Sequence, residues 1–325
     1  MTGTTNPRIA VIGAGMAGLA CAHALRQRGL SPVVFEKSRG IGGRLATRRT
    51  EHGDGYDHGA QFVTAREAGF TALLETLQHA GAAATWSPRL PAQAPRPTHA
   101  WWIGTAGMSS LVRPLSASLD IRLRTTVSAL QRQAGRWELQ LAEQSVETFD
   151  AVVITTPAPQ AQALLAGASR LADALESVAI AACWAVMLGF DAPWAVPFDA
   201  ARFDTGAIAW IARQSSRDGL PGQGDRWLLH AAPDWSTAHL EHTPEEVLVL
   251  LQSALATQTR VALPPLSFAQ AHRWRYAMTT RPLGQPMLAE PSERMWVGGD
   301  WCLGARVENA CQSGLAIADA VAASL

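Results

Sequence analysis

The chain has 325 residues, 48% hydrophobic and 17% charged, the composition of a folded globular protein long enough for a sizeable core. Its 27 Lys and Arg balance 27 Asp and Glu, so charge gives no case for a nucleic-acid partner or an anionic membrane surface. Four cysteines (Cys21, Cys183, Cys302, Cys311) form no CxxC pair, which leaves no disulfide or metal framework and fits reduced thiols in a cytoplasmic protein.

Met1 to Pro7 is polar and lacks a basic n-region, and no stretch is long and apolar enough to span a bilayer. Arg8 to Ile12 reads as a fully buried strand, Met16 to Arg28 as a helix ending at Gly29, and Pro32 to Glu36 as a second strand. This is a βαβ unit, which predicts a parallel sheet with a right-handed crossover. Thr64 to Ala80 reads as a helix, and the Pro- and Ala-rich stretch Ala83 to Ala100 as an excursion away from the first lobe. Thr98 to Ile103 reads as a strand and Met108 to Leu119 as a helix with Ser109 or Ser110 near its N-cap. Ile121 to Leu130, Arg136 to Leu141 and Phe149 to Thr155 are strand-like, with Ala134-Gly135 as a turn between the first two. Ala158 to Leu175 is helical in pattern.

From Val178 to about Arg275 the pattern changes. Tryptophan-rich alternating segments (Ala182 to Phe190, Ala207 to Ala212, Arg226 to Ala231) read as antiparallel strands, and Thr243 to Gln258 as a helix capped by Thr243 with Pro244 at N1. Met295 to Gly298 returns to a short buried strand, and Glu308 to Ala323 forms a closing helix. The expected fold class is α/β plus α+β: a dinucleotide lobe built from both ends of the chain, with a mixed-sheet lobe inserted.

Between the first strand and helix lies Gly13-Ala14-Gly15-Met16-Ala17-Gly18. Gly13 permits the tight turn, Gly15 lets the backbone approach a pyrophosphate, and Gly18 packs helix on strand. The helix N-terminus then faces the phosphates. Glu36 ends the second strand, at the distance of a carboxylate that accepts a ribose hydroxyl. These residues alone leave NAD and FAD open. The continuation Arg39-Gly-Ile-Gly-Gly43-Arg44 adds a second glycine-rich loop and an arginine, for which a nicotinamide dehydrogenase has no need.

Glu36-Lys37-Ser-Arg-Gly-Ile-Gly-Gly43-Arg44 resembles the glutathione-reductase-type Rossmann FAD fold of the flavin amine oxidases. That resemblance implies non-covalent FAD in an extended pose, with Arg44 on the phosphates and the backbone of Thr126-Val127 on adenine. It implies that Asp300, in Val297-Gly-Gly-Asp300-Trp301, bonds the ribityl or phosphate region. The closing helix, from Val307 to Ala310 onward, then points its N-terminus at the flavin's pyrimidine edge. On this basis residues 1–65, 105–160 and 285–325 are expected to form the FAD-binding lobe, and 66–104 with 161–284 the substrate-binding lobe.

Asp57-His58-Gly59-Ala60-Gln61-Phe62-Val-Thr-Ala-Arg66, Ala271-His-Arg273-Trp274-Arg-Tyr276, Leu228-Leu-His230-Ala-Ala-Pro-Asp-Trp235-Ser and Gly299-Asp300-Trp-Cys302 to Glu308 resemble the bacterial renalase group of flavoproteins. The resemblance implies oxidation of misreduced dihydronicotinamide dinucleotides, the 1,2- or 1,6-dihydro isomers of NAD(P)H, to NAD(P)+, with dioxygen reduced to hydrogen peroxide. It brings His58 to Phe62 beside the ring system, with Gln61 or Phe62 touching flavin. Candidate pocket residues are His230, Trp210, Trp235, Arg273 and Tyr276; core packing or an ion pair is the competing role for each. Lys37, the sole lysine, sits at the adenosine end and cannot serve as an amine oxidase's lysine near flavin N5. A flavin amine oxidase or desaturase on another small molecule, and a non-catalytic flavin-binding protein, stay open as alternatives. No metal-ligand cluster and no Gly-x-Ser-x-Gly motif occurs in the sequence. Nothing around Cys302 enforces covalent attachment.

Overall fold

A computed structural model describes residues 6–142 and 145–325. Most of the polar N-terminal stretch, residues 1–5, lies outside the described residues. The chain divides into two compact units, each discontinuous: residues 1–43, 112–180 and 279–325 form the first, 44–111 and 181–278 the second. These bounds differ from the expected ones. Residues 44–65 and 105–111 cluster with the second unit, while 161–180 and 279–284 cluster with the first.

The first unit is built on a six-stranded sheet ordered Leu288–Glu290, Met295–Val297, Ala151–Ile154, Ile9–Ile12, Pro32–Phe35, Asp120–Arg122. All neighbours are parallel except the first pair. Ile9–Ile12 and Ala151–Ile154 are buried at every position, which explains why they read as continuous apolar runs rather than alternating ones. The helix Met16–Gln27 follows the first strand, and Gly29 leaves it at φ 83°. The closing helix Val307–Ser324 packs on it so closely that a Cβ at Gly314 would stand 2.2 Å from the Ala17 carbonyl oxygen. A smaller antiparallel sheet joins Val127–Gln133, Arg136–Leu141 and Val146–Phe149. Its first hairpin turns at Ala134-Gly135, both with positive φ, as a tight two-residue connection requires.

Three expected elements are broken in the structure. Ile121 to Leu130 is two strands, Asp120–Arg122 and Val127–Gln133, because Arg124 turns the chain at φ 55°. Met108 to Leu119 is a 3-10 turn, Met108–Leu111, followed by the single helical turn Arg113–Ser116, and neither Ser109 nor Ser110 caps it. Pro114 denies the backbone the donor a longer helix would use. Ala158 to Leu175 divides at Gly167, φ 77°, into Ala158–Leu165 and the short pieces Leu171–Ala174 and Leu175–Ser177. The helix expected from Thr64 starts instead at Ala68.

The second unit centres on a five-stranded antiparallel sheet ordered Ala200–Arg202, Ile208–Arg213, Asp225–Ala231, Ala179–Phe190, Leu266–Arg281. One face buries Trp184, Val186, Leu188, Trp227, Leu229 and Ile211 against Val247, Leu251 and Leu255 of the helix Pro244–Thr259. Thr243 and Glu246 form a reciprocal capping box at its start, with Pro244 at N1, as the sequence predicts. The other face carries Ala185, Met187 and Leu228 with Tyr56, Phe268 and Trp274.

Candidate functional site

In the first unit Gly13 adopts φ 107°, and its amide donates to the Phe35 carbonyl at 2.8 Å. A Cβ at Gly18 would lie 1.9 Å from the Gly13 oxygen, whereas one at Gly15 meets nothing within 4 Å. The loop is therefore closed on the helix side and open at Gly15. Residue 42 joins it: Gly42 donates to Ala14 at 2.8 Å, and a Cβ on Gly43 would touch the Gly15 Cα at 3.4 Å. Glu36 is buried, taking the Ala14 amide on one oxygen at 2.9 Å and the Ser38 amide on the other at 2.8 Å. Each oxygen keeps a lone pair for a ribose hydroxyl. The helix Met16–Gln27 has no side-chain cap and no acidic residue in its first turn. A capless helix N-terminus beside an open glycine is a phosphate cradle, so these residues fit a dinucleotide.

The remaining expected cofactor contacts of this unit lie on neighbouring segments. Lys37 is exposed, and Val127 is buried in the core at the start of its strand. Asp300 is 5% exposed and accepts from the Thr279 hydroxyl at 3.1 Å, a partner the sequence did not suggest. Val307 opens the closing helix, which has no side-chain cap, and Ala310 lies one turn in, nearly buried. Burial pushes the Cys302 thiol up to about 12, so it is held as an unreactive neutral thiol.

In the second unit the loop from Asp57 to Phe62 is held from all sides. Ala60 donates to the Arg44 carbonyl at 2.8 Å, and a Cβ at Gly59 would strike that carbonyl. The His58 carbonyl accepts from Trp274 Nε1 at 2.9 Å and from His230 Nε2 at 3.2 Å. Asp57 and Arg217, each 1% exposed, pair at 2.9 Å, and Asp57 also accepts from Thr47 at 2.6 Å and the Met108 amide at 2.8 Å. Arg217 and Gln214 both donate to Gln61 Oε1, at 3.0 and 3.1 Å, while the Gln61 amide nitrogen donates to the Asp57 carbonyl and to Gly59 at 3.3 Å. Gln61, expected with Phe62 as one of two residues to touch flavin, bonds Asp57 and Gly59 of the loop and Gln214 and Arg217 beyond it.

Phe62 heads an aromatic group: it stacks on Trp101 at 4.1 Å, and Trp101 stands 5.7 Å from Trp86 and 5.8 Å from Trp210. The Arg217 guanidinium lies over Trp86 at 4.5 Å, joining this group to the polar lock. Of the five candidate pocket residues, Trp210 and His230 are cross-strand neighbours on one face. Alternation along Leu266–Arg281 puts Tyr276 on the same side as His272 and Trp274. Arg273 and Trp235 lie on the opposite face. Arg273 bonds the Leu240 carbonyl and Glu241 over Trp184, and Trp235 stacks on His239 at 4.0 Å. Both therefore lie on the helix-covered side, apart from the other three candidates. Trp86 and Arg217 sit in irregular chain with no periodic signal, and Trp101 lies just before the strand Trp102–Gly104, which is shorter than the one expected from Thr98.

Three histidines cluster in the second unit. His58 packs edge-on to His272 at 4.7 Å, with Trp274 within 5.1 Å of the His58 ring. Burial lowers His58 to about 3, His230 to about 4 and His272 to about 4, with Arg48 adding to the first and last and Arg217 and Arg202 to His230. All three are neutral at physiological pH, and His230, donating to a carbonyl, carries its proton on Nε2. The unfolded chain takes up these protons below the ordinary 6.5 while the fold refuses them, so stability drops as pH falls from 6.5 toward 4. Of the nine histidines, these three are expected to show imidazole NMR shifts that stay fixed between about pH 8 and pH 5. Ordinary midpoints for all nine would overturn this assignment.

Among the described residues no helix is long and apolar enough to cross a membrane, and no His/Cys/Asp/Glu group could hold a metal. Residues 11–78 match the family model for an NAD(P)-binding Rossmann-like domain, and residues 98–322 that for flavin containing amine oxidoreductase. Renalase of Mus musculus is 24% identical over 297 residues, 84% of this chain and 85% of its own. Among solved structures, cyclohexylamine oxidase from Brevibacterium oxydans IH-35A superposes with a TM-score of 0.74 at 14% identity, covering 98% of this chain and 99% of its own. A putrescine oxidase bound to putrescine gives 0.73 at 13%, with the same coverage. The glycine cradle and the mixed α/β architecture thus agree with a match that spans most of the chain, and the protein belongs to the flavin containing amine oxidoreductase family, as an FAD-dependent oxidoreductase.

Proposed function

We propose that the enzyme oxidises misreduced dihydronicotinamide dinucleotides, the 1,2- or 1,6-dihydro isomers of NAD(P)H, to NAD(P)+, with dioxygen as final acceptor. The first unit is the FAD-binding lobe, where Gly13 to Gly18, Glu36 and Gly43 hold the dinucleotide and Asp300 its ribityl or phosphate region. The second unit is the substrate-binding lobe. Bound FAD supplies the two-electron acceptor for the substrate's hydride and passes the electrons to dioxygen, giving hydrogen peroxide.

One observation carries the reading: the second unit groups three neutral histidines in an arginine field beside the buried carboxylate Asp57, which Arg217 already pairs. An ammonium substrate is favoured by a free carboxylate counter-ion, and Asp57 is already paired with Arg217. A dihydronicotinamide needs no proton removed. Its C–H bond breaks with both electrons leaving on the hydrogen, and the ring becomes the aromatic pyridinium of NAD(P)+. Such chemistry asks the protein to orient a flat ring and exclude water, work suited to Phe62, Trp101 and Trp210.

The test is anaerobic mixing of holoenzyme with the 1,2-, 1,6- and 1,4-dihydro isomers while following the visible flavin band. Either misreduced isomer is expected to bleach it far faster than ordinary NADH. If neither does, while an amine releases peroxide, the enzyme is an amine oxidase. Flavin that no biological reductant bleaches would identify a binding protein.

A further inference from the structure

In the five-stranded sheet, Arg202, Trp210 and His230 stand in one cross-strand row. Trp210 is 6% exposed, yet its indole N–H has no acceptor. Buried donors without partners are uncommon, and one in a binding face points to a ligand. The guanidinium of Arg202 lies over that same indole, 5.2 Å from the ring centroid. Arg202 is exposed on the edge strand, and among the described residues it has no carboxylate partner. Its neighbours are already neutralised: Arg217 by Asp57, Arg89 by Asp199 and Arg213 by Asp225. An uncompensated positive charge thus rests on a buried aromatic ring, and that ring is 5.8 Å from both Phe62 and Trp101.

We propose that Arg202, seated on Trp210, anchors a phosphate of the substrate and so selects nucleotide over nucleoside forms of a dihydronicotinamide. The inference rests on the function proposed above and adds the feature that reads the substrate's charge. A guanidinium lying flat on an indole keeps its N–H edge turned outward, a fork that matches two phosphate oxygens. The ring contact also holds the long side chain in place, lowering the entropy lost on binding. One aromatic ring separates this fork from the Phe62–Trp101 stack. A ligand with a planar head, a sugar spacer and a phosphate has that layout.

The test compares the 1,2-dihydro forms of nicotinamide mononucleotide and nicotinamide riboside as substrates of holoenzyme, wild type and Arg202→Gln. Wild type is expected to favour the nucleotide by about tenfold or more in kcat/KM, mostly through KM. Arg202→Gln is expected to bring that ratio near one, and Arg202→Lys, which keeps charge without the fork, to fall between. A wild-type ratio near one, or a ratio unchanged in Arg202→Gln, overturns the anchor. Calorimetric titration of the same holoenzymes with inorganic pyrophosphate needs no turnover. Weaker binding to Arg202→Gln by about tenfold supports the anchor, while equal binding or none to wild type overturns it. Silence toward every dihydronicotinamide, with the pyrophosphate difference intact, would count against the proposed reaction alone.

Discussion

Arg217→Met is expected to lower stability by about 3–5 kcal/mol, because it leaves the Asp57 carboxylate charged and buried without its counter-ion. Both partners are 1% exposed, and burial already pulls the Arg217 guanidinium below its usual value, so little solvent is available to compensate. The effect spreads beyond the pair. Arg217 also donates to Gln61 and lies over Trp86, so its loss frees the loop that ends in Phe62. Urea unfolding of the holoenzyme is the measurement. The double change Asp57→Leu with Arg217→Met is expected to recover part of the loss, since two apolar groups leave no orphaned charge. A single-variant loss below about 1 kcal/mol would show that the pair is not what locks the loop.

The second large effect separates folding from cofactor binding within a span of four residues. Gly15 has ordinary φ and ψ of −81° and −175°, and a Cβ there meets no protein atom within 4 Å. Gly15→Val is therefore expected to fold normally while filling the space the pyrophosphate requires, weakening FAD by about 10–100-fold. Gly18→Val must push the Gly13 carbonyl away from its 1.9 Å overlap, so it is expected to lose helix–strand packing together with the flavin. Circular dichroism and flavin content of the purified proteins distinguish the two. A yellow, fully loaded Gly15→Val protein would mean that the pyrophosphate does not pass over this residue.

The cradle was legible because its demands are local. Gly13 to Gly18, the flanking apolar runs and Glu36 lie within one βαβ unit, and the Thr243–Glu246 capping box is likewise read from four consecutive residues. The second unit was legible only in part. Asp57 and Arg217 are 160 residues apart, and Arg217 lies in the polar stretch Gln214-Ser-Ser-Arg217, where composition predicts a loop and nothing more. Strand Leu266–Arg281, the longest in the fold, alternates Phe268, His272, Trp274 and Tyr276 against Ala269, Ala271, Arg273 and Arg275. Because both faces mix polar and apolar residues, the period-2 signal that would separate Arg273 from Trp274 is faint. The bonds of Gln61 to Gln214 and Arg217 were not legible, since no local pattern connects those residues to it.

The three-segment construction of the first unit governs when it can form. Its central strand Ile9–Ile12 pairs with Ala151–Ile154, which in turn pairs with Met295–Val297. During synthesis the sheet stays incomplete until nearly 300 residues have left the ribosome, and its early strands wait through the making of the whole inserted unit. The apolar edge of Ala151–Ile154 that Met295–Val297 later covers has no strand partner for that interval. The sheet that carries the glycine loop is therefore completed only by the last segment of the chain.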